Sequence, residues 1–237
     1  MKPADRERAR AVMDPVELLR GKPFIAEIKK ASPSRGDINV DVDIAAQAAA
    51  YERGGAGAIS VLTDSRYFRG SFSFLSDVSV AVGLPLLCKD FILSEVQIEN
   101  AYCHGADFIL LIAAILSEAE LAALSRCAAR HSLKVLYELH GIGEFDKIRS
   151  LDLEMVGVNS RNLETFAIDK ENARKVIAAL DGDFLKVAES GIDTADDIRD
   201  FRAGGADAFL IGSALMTAPD PAALLRGFRA ALEGPCS

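Results

Sequence analysis

A chain of 237 residues, half of them hydrophobic and about a quarter charged, has enough apolar material for a sizeable core and reads as an ordinary globular protein. Its formal net charge of −8 argues against nucleic acid or an anionic membrane as the main partner, while leaving room for a local anion site in one cleft. The first ten residues are strongly charged without an apolar signal region, no run approaches membrane-spanning length, and Cys88, Cys103, Cys127 and Cys236 lack CxxC spacing, so the expectation is a cytoplasmic protein with reduced thiols.

In chain order, residues 1–20 place Ala11, Val12, Met13, Val16, Leu18 and Leu19 at apolar positions and predict a short amphipathic helix. A strand over 24–29 runs into the Ser/Pro/Gly turn that ends at Gly36. Helix 43–54 leads to strand 58–62, helix 73–82 to strand 84–88, helix 94–103 to strand 107–112 and helix 117–131 to strand 134–138. Helix 143–150 then leads to strand 154–158, helix 170–180 to strand 184–188 and helix 194–203 to strand 207–211, before a last helix over 220–232. No shift in composition marks a boundary, which predicts one domain over 1–237 with residues 1–22 as an N-terminal extension.

An internal repeat supports this layout. Gly55-Ala56-Gly57, Gly105-Ala106-Asp107 and Gly205-Ala206-Asp207 lie at spacings of 50 and 100, each placing glycine where a helix stops and a buried strand starts. The missing member, at 154, falls on another strand. Continuous apolar strands joined by helices imply a parallel sheet buried on both faces. Eight of them imply an α/β fold of the (β/α)8 barrel type, with its chemistry at the C-terminal strand ends. A doubly wound open sheet is the main rival, but neither GxGxxG nor GxxxxGK[ST] follows the first strand.

Charged and polar residues gather at those strand ends: Glu27 and Lys29 on the first, Lys89 on the third, Glu138 on the fifth, Asn159 on the sixth and Glu189 on the seventh. Alternate strands feed one interior layer of a barrel, so the ionisable groups of the odd strands are expected to converge at the mouth. A charge network could be structural, but stability does not require so many charges there, whereas proton transfer does. Carboxylates outnumber lysines, so Lys89 is expected to keep its proton at neutral pH despite a neighbouring Lys29. Alternation sends Cys88 to the opposite face, as a core thiol rather than a nucleophile. Ser190-Gly191 and Gly212-Ser213 follow the last two strands, where this fold cradles phosphate; Lys29 would supply charge and Ser32 a hydrogen bond. Phe68, Phe91 and Leu110 would form an apolar side opposite, fitting a substrate with a phosphate at one end and a flat apolar group at the other.

The runs IAEIKKASPSRGDI, SVLTDSRYFRGS, LPLLCKDFI, GADFILLIAAIL, VGVNSRNLETF, VAESGI and GADAFLIGSALM resemble indole-3-glycerol-phosphate synthase of tryptophan biosynthesis from about residue 15 onward. The resemblance implies ring closure, decarboxylation and dehydration of 1-(2-carboxyphenylamino)-1-deoxyribulose 5-phosphate. It implies no metal and no organic cofactor, and His104, His131 and His140 form no ligand pattern. Carried onto this chain, it implies Lys89 as general acid and Glu27 with Lys29 for the dehydration. Glu138, Asn159 and Glu189 would position substrate and stabilise the cationic intermediate, with Ser32, Phe68, Phe91, Leu110, Arg161 and Ser190 as further substrate contacts. The phosphate would rest on Lys29, Gly191, Gly212 and Ser213. Partners are then a phosphorylated aminosugar, with association among enzymes of the same pathway left open.

Two features depart from the family pattern. The segment before the first strand is short and has no Trp to close over substrate, and His140-Gly141 stands where an acidic residue often follows. Two other classes remain in view: a different phosphosugar barrel enzyme such as phosphoribosylanthranilate isomerase, and a barrel kept as a non-catalytic partner in a complex. An isomerase leaves two lysines and three glutamates at the mouth unexplained, and the non-catalytic reading conflicts with every charged family position being filled.

Overall fold

Apolar strands buried on both faces need neighbours on both edges, and here they find them by closing on themselves. In the computed structural model, which describes residues 7–233, the strands are β1 (Phe24–Ile28), β2 (Ala58–Leu62), β3 (Leu86–Lys89), β4 (Phe108–Ile112), β5 (Lys134–Leu139), β6 (Met155–Asn159), β7 (Leu185–Glu189) and β8 (Ala208–Ile211). Each pairs in parallel with the next, and β8 returns to β1, giving a closed barrel. The helices are α1 (Pro15–Gly21), α2 (Ile44–Arg53), α3 (Phe72–Ala81), α4 (Glu95–Cys103), α5 (Glu118–Arg130), α6 (Lys170–Ala179), α7 (Ala195–Ala203), α8 (Ser213–Thr217) and α9 (Pro221–Glu233).

Strand alternation splits the core in two. Ile25, Leu87, Phe108, Leu110, Leu136 and Val187 fill the barrel, while Phe24, Ala26, Ile28, Val61 and Cys88 pack outward among the helices. The repeat has a shared geometry. Gly55, Gly105 and Gly205 take φ of 91°, 101° and 95°, and Ala56, Ala106 and Ala206 each donate back to the carbonyl five residues earlier. That pairing closes a Schellman helix stop, which only glycine adopts without strain.

Three expectations are corrected. The predicted helix 1–20 is helical only from Pro15 in its described part; residues 1–6 lie outside the described residues. Pro15 disfavours helix in the residue before it, and Asp14 caps α1 by accepting the Val16 N–H at 2.8 Å. Leu19 and Val16 of α1 join the interior cluster at the strands' N-terminal ends, so the helix plugs the bottom of the barrel, and none of residues 7–21 lines the cavity at the mouth. The helix expected at 143–150 is a 3-10 helix, Ile142–Lys147, with glycine at 141 and 143 weakening its first turn. Finally, α8 and a small hairpin pairing Ala31–Ser32 with Gly36–Asp37 were not anticipated.

Candidate active site

The C-terminal strand ends surround a cavity of about 1400 Å³, and every residue singled out from the sequence as catalytic, substrate-binding or phosphate-binding lines it. Cys88, by contrast, is fully buried outside the barrel against Thr63 Oγ1 at 3.4 Å, and burial pushes its thiol up to about 12.

The charged residues form two groups. On β1 and the residue just past it, Lys29 Nζ donates to Glu27 Oε1 at 2.7 Å. Across the barrel, Lys89 Nζ on β3 donates to Glu138 Oε2 on β5 at 3.1 Å and to Glu189 Oε2 on β7 at 3.4 Å. The odd strands thus meet at one height, as the layering of a barrel requires. Room for this comes from two glycines. A Cβ on Gly157 of β6 would lie 2.0 Å from Glu189 Oε1, and one on Gly212 would lie 2.2 Å from Glu27 Oε1. Gly212 therefore makes space for the Glu27–Lys29 pair, besides its expected place near phosphate.

Burial works against the Lys89 charge, but Glu138, Glu189 and Glu27 outweigh it and raise the ammonium above its usual value. Lys29 is paired with Glu27, and Lys89 keeps its proton as the excess of carboxylates led one to expect. Burial likewise opposes the Glu138 charge, yet Lys89, His140 and hydrogen bonds from Lys89 and Asn159 hold this carboxyl below the ordinary range. For Glu189 burial wins: with Lys89 offsetting only part and Glu138 adding repulsion, its carboxyl is pushed up to about 8. The two carboxyls are thus pushed in opposite directions, Glu138 toward ionisation and Glu189 toward holding its proton. Sequence reading had counted three glutamates as anions.

Asn159 links this cluster to the next loop. Its amide reaches Glu138, and its Oδ1 accepts the Arg161 N–H at 3.0 Å. The Arg161 guanidinium donates to the Phe166 carbonyl at 3.0 Å, and burial with nearby Arg35 lowers its pKa. On the phosphate side, Ser190 and Gly191 take φ of 66° and 70°, and α8 begins at Ser213 directly after β8 and Gly212. The Ser32 Oγ accepts the Arg35 N–H at 3.2 Å, which orders the first loop. On the apolar side, Phe68 and Phe91 stand 6.3 Å apart between ring centroids, with Leu110 deeper in the barrel.

Sequence reasoning missed part of the wall. Leu163, Phe166 and Ile168, from the loop after β6, also line the cavity, and Phe166 and Ile168 are exposed. The apolar residues Leu163, Phe166 and Ile168 in the loop just past β6 were the available signal. Among the described residues, no cluster of three or more His, Cys, Asp and Glu could hold a metal ion.

A family model described as indole-3-glycerol phosphate synthase matches residues 7–228. A protein of that name from Microcystis aeruginosa is 47% identical over 205 residues, covering 84% of this chain and 69% of the relative. Those from Koribacter versatilis and Bacillus cereus are 45% and 43% identical, covering 87% and 85% of this chain and 79% and 80% of the relatives. Among solved structures, thiamine phosphate pyrophosphorylase from Pyrococcus furiosus superposes with a TM-score of 0.68 at 17% identity, covering 91% of this chain and 98% of that one. A 3-hexulose-6-phosphate synthase does so with 0.67 at 17%, covering 88% and 99%. At such identity these two speak for the fold alone.

Proposed function

This chain belongs to the indole-3-glycerol phosphate synthase family, and we propose that its barrel mouth performs that family's reaction with Lys89 as the general acid. The reaction closes the pyrrole ring of 1-(2-carboxyphenylamino)-1-deoxyribulose 5-phosphate and releases carbon dioxide and water. The observation that carries the assignment is the Lys89 ammonium held between Glu138 and Glu189 at the centre of the cavity.

The substrate lies with its phosphate against the loops of Gly191 and the start of α8, where Ser213 and Lys29 offer donors. Its aromatic ring packs on Phe68, Phe91 and Leu110, and Arg161, Ser32 and Ser190 orient the polar edge between. Attack of the aromatic ring carbon on the ketone drives an electron pair onto the carbonyl oxygen, and Lys89 protonates that oxygen. An alkoxide is a far stronger base than an amine, so the raised ammonium pKa does not obstruct the transfer. Glu138, ionised at neutral pH, faces the iminium that develops and accepts a hydrogen bond from Asn159. The iminium is the electron sink through which the aryl carboxylate leaves as carbon dioxide. Glu27 then takes a ring proton while Lys29 assists departure of the hydroxyl as water; their 2.7 Å contact keeps acid and base side by side.

The test is single-turnover ring closure followed by indole fluorescence, alongside substrate binding. Lys89→Met keeps the aliphatic length and deletes the charge and proton, so turnover should fall by roughly 10²–10⁴. Affinity should fall far less, because the phosphate contacts remain. Closure at near the parent rate in folded Lys89→Met would make Lys89 a structural charge and move the acid to Lys29.

A further inference from the structure

His140 stands two residues beyond Glu138 on the same face of the chain, behind the carboxylate rather than in the cavity. Its Nε2 is 3.4 Å from Glu138 Oε1 and its Nδ1 is 3.9 Å from Glu144 Oε2. Both nitrogens are shut off from solvent and neither makes an aligned hydrogen bond among the described residues. A buried polar atom without a partner is costly, so a ring held in this position needs an explanation. Its backbone is well anchored: the His140 N–H donates to Glu144 Oε2 at 2.8 Å, and Asn172 Nδ2 on α6 donates to the His140 carbonyl at 3.4 Å. The peptide is fixed while the ring faces a carboxylate oxygen that Lys89 does not use, since Lys89 takes Oε2.

We propose that His140 is a positioning residue for the reaction, whose Nε2–H engages Glu138 Oε1 and so keeps Oε2 aimed at the Lys89 ammonium. Each Glu138 oxygen then has its own job. Without the ring donor only Lys89 and the Asn159 amide hold the carboxylate, and its last torsion, a broad and nearly two-fold one, lets Lys89 share both oxygens loosely. The Lys89 proton would then no longer be held on one line toward the substrate oxygen.

This inference rests on Lys89 acting as the acid, and the experiment separates the two. His140→Leu removes the donor and fills the space; His140→Gln restores an N–H near the Nε2 position. Misplacing a reacting group by about an ångström costs up to about a hundredfold. His140→Leu should therefore lower kcat by about 10- to 100-fold with KM moved less than about twofold, and His140→Gln should recover most of that. In a Glu138→Gln background His140→Leu should cost nothing further, because the residue acts through that carboxylate. Equal loss in Leu and Gln variants, an unchanged kcat in folded His140→Leu, or a full additional loss in the Glu138→Gln background would each overturn the proposal. If instead Lys89→Met alone keeps its turnover, the acid assignment fails while the His140–Glu138 coupling can still be read from the cycle.

Discussion

At the scale of single residues, the site depends on where two-residue alternation points each side chain. That rule was enough to send Lys89 inward and Cys88 outward, and the structure places both so. The protonation of Glu189 was not legible, because it depends on a neighbour from another strand. Gly157 of β6 leaves the space into which Glu189 of β7 folds, burying it with only Lys89 as counter-charge. Its folded pKa of about 8 lies above the ordinary carboxylate value, so the folded protein keeps a proton there that the unfolded chain releases. The group's contribution to stability is then fully present below the unfolded pKa and is lost as pH rises through about 8. Glu189→Gln carries no such proton. Its stability relative to the parent should rise from pH 5 to about 8 and level off above that when both are unfolded by denaturant. A difference that stays flat across that range would mean Glu189 is ionised throughout.

At the scale of elements, caps and breakers set most boundaries. Ser117 and Thr194 form capping boxes at the starts of α5 and α7, and the strand–helix order follows the expected layout. The short α8 was lost because a single turn carries little periodicity to read, whereas the helix expected over 143–150 was found, shorter and in 3-10 form. Glycine inside β6 has a different meaning from glycine at the helix stops. Its φ is not positive, so alanine is permitted by the backbone, and the main constraint is the Glu189 carboxylate, with Leu136 Cδ1 next at 3.3 Å. Gly157→Ala should fold, yet its methyl must displace Glu189 from the 3.4 Å contact with Lys89. We expect kcat to fall by about 10- to 100-fold with the thermal transition retained. Full activity in Gly157→Ala would show that the position of Glu189 is immaterial to turnover.

At the scale of the whole molecule, the repeat offers an internal control. Asp107 and Asp207 occupy equivalent places 100 residues apart, and each accepts a strand-start N–H, from Leu86 at 2.8 Å and from Lys186 at 3.0 Å. The shared aspartate was visible in the sequence; what distinguishes the two was not. Asp107 is fully buried because Arg8 and Arg10, from the segment before α1, both close on it, and Met13 donates its N–H at 2.9 Å. Asp207 has a single arginine, Arg202, at 3.6 Å, and its side chain is 41% exposed. The same residue in the same register is thus a buried clasp in one half and a wet surface pair in the other. Removing one side of a buried ion pair costs about 3–5 kcal/mol, whereas an exposed pair with one hydrogen bond is worth about 1 kcal/mol. Asp107→Ala should therefore unfold at far lower denaturant than Asp207→Ala. Because both aspartates lie at the N-terminal ends of the strands, the folded fraction of either variant should keep the parent kcat and KM. Replacing Arg8 and Arg10 together by alanine should cost less in the Asp107→Ala background than in the parent, and what remains is the loss of the Arg8 bonds to the Tyr102 and Ala106 carbonyls and of the Arg10 bond to the Leu84 carbonyl. Equal losses for the two aspartates would show that the strand-start hydrogen bond, and not the N-terminal clasp, holds the bottom of the barrel.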